Sequence, residues 1–204
     1  MNIENLKLWC SEVGHLNKDQ AEFMIKMAEK QQPKYCLETG FCSGRSSSAV
    51  IAGTEKSIKK FITVDKTFKK CGRYRAGGWL EKFEGAYPFY KGIQGNTMDL
   101  LNKDFFEKEF PNRIDWFTVD GDHSYRGCKH DLESALPYMN KNSIIIVDDY
   151  ESNFPNGRPI PTVTEACDDF YNTHSDKLVK SKWNKKGKGF CIFRVTSESS
   201  AKVS

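Results

Sequence analysis

No apolar run in the chain is long enough to cross a membrane as a helix, and no two cysteines stand at C-x-x-C spacing. The opening residues, MNIENLKLWC, lack a basic n-region and an apolar core, so a secretory signal is not expected. Seven cysteines, odd in number and scattered, argue against a disulfide framework or a zinc site and for a reducing, cytoplasmic setting. A strong charge of one sign is also missing. The net charge is +4, and the lysine pairs at 59–60, 69–70 and 185–186 read as solvated surface rather than a nucleic-acid footprint. Neither a membrane nor a nucleic acid is therefore an expected partner. There is no internal repeat. What remains is 204 residues, 38% hydrophobic and 28% charged, which suits one domain with a real core.

Two stretches organise that domain. Ile114-Asp115-Trp116-Phe117-Thr118-Val119 runs into Asp120-Gly121-Asp122-His123, and Ile144-Ile145-Ile146-Val147 runs into Asp148-Asp149-Tyr150. Near-continuous β-branched and aromatic runs of this kind are buried strands of a parallel sheet. Ligands bind outside the carboxyl ends of such strands. The two tips would bring Asp120, Asp122, His123, Asp148 and Asp149 to one small volume. Carboxylates crowded there repel each other unless a cation or a proton intervenes. The alternative for each tip alone is a helix or turn cap.

In chain order, residues 3–32 read as helical, with Asn17 as an N-cap and Pro33 as the stop. These N-terminal helices either pack on the core or cap it. Tyr35 to Glu38 is a short strand, followed by Thr39-Gly40-Phe41-Cys42-Ser43-Gly44 and a helix opening near Ser46. Its pattern is Glu-x-Gly-x-x-x-Gly, not the Gly-x-Gly-x-x-Gly of dinucleotide-binding folds. Phe61 to Asp65 is the next strand, and its terminal acid suits ribose hydroxyls, or else a turn. Residues 66–88 form an elaborate connection, helical around Trp79 to Phe83, which could meet an acceptor through Arg73, Tyr74, Arg75, Trp79 or Tyr87. A strand at 89–94 leads to the turn Gly95-Asn96-Thr97. If the first loop holds a nucleoside, that turn sits near its base. Further strands are expected at 113–119, 144–148, 177–183 and 189–195, with Asn140 to Ser143 as a turn and a helix from Thr162 to His174. Residues 33–196 thus read as the core domain and 197–204 as a polar tail. Asp131 and Glu133 read as a solvated helix face.

With Glu38, Gly40, Gly44, Asp65 and Asp120 in this order, the chain resembles the class I methyltransferases that use S-adenosylmethionine (SAM). The stretch VDGDHSYRGCKHDLESALPYMNKNSIIIVDDY is similar to the metal-dependent O-methyltransferase branch that includes macrocin O-methyltransferase. Catechol and caffeoyl-CoA enzymes are its more distant relatives. The resemblance implies an α/β fold: a Rossmann-like, doubly wound, seven-stranded sheet with an antiparallel last strand and helices on both faces. It implies SAM contacts from Glu38, Thr39, Gly40, Ser43, Gly44, Ser46, Asp65, Asn96, Thr97 and Asp120. It further implies magnesium, or another divalent ion such as manganese, on Asp120, Asp148 and Asp149. The base would be His123 or Asp122, and histidine titrates near working pH. The acceptor implied is a hydroxyl of a sugar or glycan, with a small phenol as alternative. A cytoplasmic enzyme is expected, and self-association into a homo-oligomer is left open. A catalytically inactive SAM-fold binding module is the competing class, and the acid cluster argues against it. The Asn/Asp-Pro-Pro-Tyr/Phe motif of amino-methylating enzymes is absent, since Tyr150 follows Asp148-Asp149 directly. A sister group named for cephalosporin hydroxylases shares the same strand endings.

Overall fold

A computed structural model describes residues 16–54, 56–71, 74–75, 78–153, 160–185 and 187–197, with backbone alone at 70–71 and 74–75. The expected first helix segment around Leu6 and Trp9, the side chains of Arg73, Tyr74 and Arg75, Pro155 and Pro159, and most of the polar tail lie outside the described residues. The chain divides into two compact units, 1–96 and 97–204. The main sheet has seven strands: three from the first unit, in the order β5 (Tyr90–Gln94), β2 (Lys60–Asp65), β1 (Tyr35–Thr39), and four from the second, in the order β6 (Ile114–Val119), β7 (Met139–Val147), β9 (Lys188–Val195), β8 (Leu178–Lys185). Helices accompany the strands, as expected for an α/β Rossmann-like fold.

In the first unit, α1 (Lys18–Gln31) starts from a reciprocal cap. Asn17 Oδ1 accepts from the Gln20 N–H at 2.9 Å, and Gln20 Oε1 accepts from the Asn17 N–H at 3.1 Å. Gln32, with φ 48°, ends the helix just before Pro33. This helix packs on α2 (Arg45–Thr54), where a Cβ on Gly53 would lie 2.6 Å from the Ile25 carbonyl oxygen. β1 (Tyr35–Thr39), β2 (Lys60–Asp65) and β5 (Tyr90–Gln94) are parallel. The connection expected to be elaborate contains a two-residue antiparallel pair, β3 (Lys70–Cys71) with β4 (Tyr74–Arg75), and the helix α3 (Trp79–Ala86). Phe41, Phe61, Phe83 and Tyr90 form a buried aromatic cluster. Full burial of each Phe is worth about 1.5–3 kcal/mol. Tyr87, expected as an acceptor contact, is 5% exposed and packs on Phe83 and Phe89 instead. A run of aromatics looks alike from sequence whether it faces a ligand or a core.

In the second unit, two short helices follow Asn96, α4 (Thr97–Leu100) and α5 (Lys103–Glu109). Asn102 divides them by capping α5 through the Phe105 N–H. β6 (Ile114–Val119) pairs in parallel with β7 (Met139–Val147), and α6 (Tyr125–Ala135) crosses between them. The turn expected at Asn140 to Ser143 is instead a bulge inside β7. The register jumps from Ile114↔Met139 to Trp116↔Ile144, and Asn142 takes φ 68°. Polar residues there do not end the strand because Asn140 donates to Asp115 and Ser143 to the Ile114 carbonyl. α7 (Pro161–His174) precedes β8 (Leu178–Lys185) and β9 (Lys188–Val195). β9 runs antiparallel to both β7 and β8. Asp131 is fully buried in α6, not on a solvated face, whereas Glu133 pairs with His174 at 2.7 Å. Among the described residues, no helix is long and apolar enough to cross a membrane.

Candidate active site

The first cluster is the loop between β1 and α2. Glu38 at the end of β1 is fully buried, and its two carboxylate oxygens accept from the Ser46 and Ser47 hydroxyls. Ser47 also meets the Tyr90 hydroxyl at 2.7 Å. Burial, reinforced by the Glu38 charge, pushes the Tyr90 phenol well above its ordinary range, so it stays neutral. Glu38 thus ties the first turn of α2 to β1. Asp65 at the tip of β2 holds the other side of the loop. Its Oδ2 accepts from the Phe41 N–H at 2.7 Å and the Cys42 N–H at 3.4 Å, while Oδ1 accepts from the Thr67 N–H at 2.9 Å. The turn reading of Asp65 is the one these bonds show: the carboxylate shapes the loop between β1 and α2.

Gly40 and Gly44 take φ 83° and 73°, which favours glycine at both. Gly44 is further constrained by packing, since a Cβ would lie 2.6 Å from the Phe41 ring. Two hydroxyls in the loop, Thr39 Oγ1 and Ser43 Oγ, are buried without a hydrogen-bond partner among the described residues. Buried hydroxyls are normally satisfied, so each marks a place for a ligand or water group. These two atoms fit a polar nucleoside-type cofactor. Cys42 is disulfide-bonded, which the expectation of a reducing setting without a disulfide framework did not include. Among the described residues, Cys36, Cys128, Cys167 and Cys191 are free and buried. Asn96 follows Gly95, whose N–H bonds to the Asp65 carbonyl at 2.8 Å.

The second cluster lies at the tips of β6 and β7 in the other unit. The Asp148 N–H donates to the Val119 carbonyl at 3.0 Å, which sets the two acidic tips side by side. His123 bridges them, with Nε2 3.1 Å from Asp120 Oδ1 and Nδ1 3.5 Å from Asp149 Oδ2. Asp148 Oδ1 accepts from the Asp149 N–H at 2.8 Å. Burial, then the charges of Asp120 and Asp149, push the Asp148 carboxyl well above the usual carboxylate range. The hydrogen bond to Asp120 lifts the His123 pKa to about 9, against the opposing effect of burial. The imidazole is therefore protonated at neutral pH in this arrangement.

Asp122 stands apart from that bridge. Its Oδ1 accepts from the Ser124 N–H at 2.9 Å, and a Cβ on Gly127 would lie 2.5 Å from its side chain. It braces the start of α6, where Ser124 is the N-cap. Thr97 opens α4, and its carbonyl lies 3.2 Å from His130 Nε2.

Sequence reasoning missed Lys188. Its Nζ lies 3.0 Å from Asp149 Oδ1. The antiparallel register explains this: Cys191 pairs with Val147, so the start of β9 lies at the tip of β7. The β8–β9 hairpin also grips the turn after Asp149. The Gly189 N–H donates to Ser152 Oγ at 2.9 Å, and Lys182 binds Glu151 at 2.9 Å. Asp149 and Glu151 hold φ 61° and 50° inside this grip. A Cβ on Gly189 would lie 2.2 Å from the Tyr150 carbonyl oxygen, so only glycine fits there.

Asp120, Asp148 and Asp149 carry hard carboxylate oxygens, the ligand type that a divalent cation such as magnesium takes. Among the described residues, however, no group of three or more histidine, cysteine, aspartate or glutamate side chains is placed to hold a metal ion, so their arrangement here does not fit one.

A family model for a methyltransferase domain matches residues 37–150. The chain belongs to that family. Among relatives, an uncharacterized protein, R132, of Acanthamoeba polyphaga mimivirus is 26% identical over 161 residues, which is 76% of this chain and 68% of the relative. The methyltransferase also shares its fold with solved structures. An O-methyltransferase from Bacillus cereus in complex with SAH superposes with a TM-score of 0.70 at 17% identity, covering 95% of this chain and 90% of that one. TomG, an O-methyltransferase of tomaymycin synthesis from Streptomyces achromogenes solved with SAM, gives 0.70 at 14% identity over 96% and 89%. The SAH-bound methyltransferase PaMTH1 of Podospora anserina gives 0.68 at 19% identity over 96% and 88%.

Proposed function

We propose that this methyltransferase uses SAM to methylate a hydroxyl oxygen of a small-molecule acceptor, a sugar or glycan, in the cytoplasm. The observation that carries the oxygen assignment is the paired acidic tip, where Asp120, Asp148 and Asp149 gather around His123. SAM supplies a methyl group already activated on a sulfonium, so positioning is the larger part of the protein's task. The buried hydroxyls of Thr39 and Ser43 and the loop held by Glu38 and Asp65 support cofactor binding at β1 and β2. Asp120, Asp148 and Asp149 would hold magnesium or manganese, which supplies positive charge where an acceptor oxygen loses its proton. His123 takes that proton at a ring nitrogen. It becomes a competent base once the carboxylates that now hold it protonated are neutralised. Asp122, occupied at the start of α6, is the less favoured base. A phenolic acceptor is the second reading, favoured by the protonated state of His123: a phenol ionises more readily and needs less from a base. The deciding experiment incubates the protein with SAM and a panel of monosaccharides, glycans and phenols, with magnesium or with chelator. Methylated sugar formed only with magnesium supports the proposal. Methylated phenol alone selects the second reading, and no product from any acceptor with bound SAM favours an inactive binding module.

A further inference from the structure

The turn between β1 and α2 is closed by the Gly44 N–H on the Phe41 carbonyl at 2.6 Å, with Cys42 and Ser43 as its two middle residues. Cys42 holds φ 49° there, in the left-handed region that a residue with a Cβ enters at a cost. Its own hydrogen bond does little to keep it so. The Cys42 N–H lies 3.4 Å from Asp65 Oδ2, whereas the Phe41 N–H is anchored on the same oxygen at 2.7 Å. Cys42 is held in addition by its disulfide. The next residue is Ser43, 8% exposed, whose hydroxyl has no hydrogen-bond partner among the described residues. The cross-link therefore stands beside an atom whose burial calls for a ligand or water group. Cys42 is half-buried, within reach of a small thiol, whereas Cys36, Cys128, Cys167 and Cys191 are buried and free. Among these five cysteines, reversible thiol chemistry is confined to the turn.

We propose that the Cys42 disulfide is a redox switch on cofactor binding. Oxidised, it holds the turn in the conformation that places the Ser43 hydroxyl; reduced, it lets Cys42 leave the left-handed region, and the turn loses its fit to SAM. This rests on the loop between β1 and α2 being the SAM site and adds the device that controls it. The step is thiol–disulfide exchange with a small disulfide of the glutathione type. One protein thiolate attacks a sulfur of the small disulfide and displaces a small thiolate. The second protein thiolate then attacks the mixed disulfide and displaces the other. Two protein thiols give up two electrons, one small disulfide becomes two thiols, and the two protons end on those thiols. An excess of small thiol runs the same steps backwards.

The test is calorimetry of SAH with the whole chain, either treated with oxidised glutathione or reduced with a phosphine. Wild type should bind SAH on the order of tenfold more weakly when reduced, the cost of the left-handed residue that the cross-link no longer covers, and should recover on reoxidation. Cys42→Ser should match reduced wild type and ignore the reductant. Cys42→Gly should also ignore the reductant yet bind close to oxidised wild type, because glycine takes φ 49° without that cost. A cross-link that only stabilised the fold would leave both variants equally weak. Equal affinity in the two redox states of wild type overturns the proposal, and so does Cys42→Gly binding as weakly as Cys42→Ser. Binding that ignores redox state ends the switch alone, whereas no SAH binding in either state ends the cofactor assignment of the loop and the switch with it. A second measurement needs no variant: alkylation of wild type, read by peptide mass. Cys42 and one further cysteine should be labelled only after reduction, while Cys36, Cys128, Cys167 and Cys191 stay unlabelled until the protein is unfolded. Labelling of Cys42 in the oxidised protein would also overturn the proposal.

Discussion

The Asp148 N–H and the Val119 carbonyl, 3.0 Å apart, join the tips of β6 and β7 one residue beyond the last paired strand positions. This bond makes two separate acidic stretches into one cluster. Removing the Asp148 side chain leaves that backbone bond intact, so Asp148→Ala should fold. It should abolish magnesium-dependent methyl transfer while SAM affinity, measured by calorimetry, stays near wild type. Turnover that persists in chelator, in wild type, would remove the metal from the mechanism.

The orphaned hydroxyls of the β1 loop predict opposite effects on stability and binding. Thr39→Val and Ser43→Ala remove buried groups that lack partners, so the cofactor-free protein should melt at the same temperature or higher. SAM affinity should fall by ~0.5–1.5 kcal/mol for each, the net worth of a neutral hydrogen bond. Gly40→Val, at φ 83°, should abolish binding altogether. Calorimetry alongside thermal melts checks both halves, and full affinity in all three variants would take the cofactor away from this loop.

Asp65→Ala should cost both binding and stability. Three backbone N–H groups lose their acceptor, and SAM affinity should drop by about 1–3 kcal/mol. Asp65→Asn retains an acceptor oxygen and should recover part of the melting temperature. A variant that melts like wild type yet loses affinity would assign Asp65 to the ribose alone.

His123 should leave its mark on pH dependence. Its folded pKa, about 9, lies above the unfolded value near 6.5. The stabilisation from its charged form is therefore complete below pH ~6.5 and is lost as pH rises through about 9. Denaturant melts in chelator should show wild type losing stability across that window while His123→Ala does not. The amplitude should be small, because the side chain is 42% exposed and solvent screens it. With magnesium and acceptor, His123→Ala should slow turnover by about 10²–10⁴-fold. A flat stability difference between the two proteins over pH 6.5 to about 9 would mean that the imidazole is not held by Asp120.

Strands whose entire length is apolar announce themselves, and so do the acids that end them; β1, β2, β6 and β7 and their tips could all be read in advance. Lys188 could not. Its place depends on an antiparallel return beside β7, and a lysine in a Lys-Lys-Gly-Lys-Gly run looks like ordinary surface. The bulge at Asn142 was hidden for a related reason: Asn140 and Ser143 are polar, and only their cross-strand partners show that the strand continues. Asp131 stands in a polar stretch of its helix that reads as solvent-facing, yet it is buried. The bond at Cys42 depends on which thiols meet in space, which spacing along the chain does not disclose.

The grip of β9 on the Asp149 turn also bears on how the protein is made. On the ribosome, β6 and β7 emerge well before residue 188, so the nascent chain carries its three acids without the lysine that balances them. Ser152 likewise lacks the Gly189 N–H that fixes the turn. The site is therefore completed only when β9 inserts beside β7, and a chain stalled before that point would carry a loose, over-charged tip.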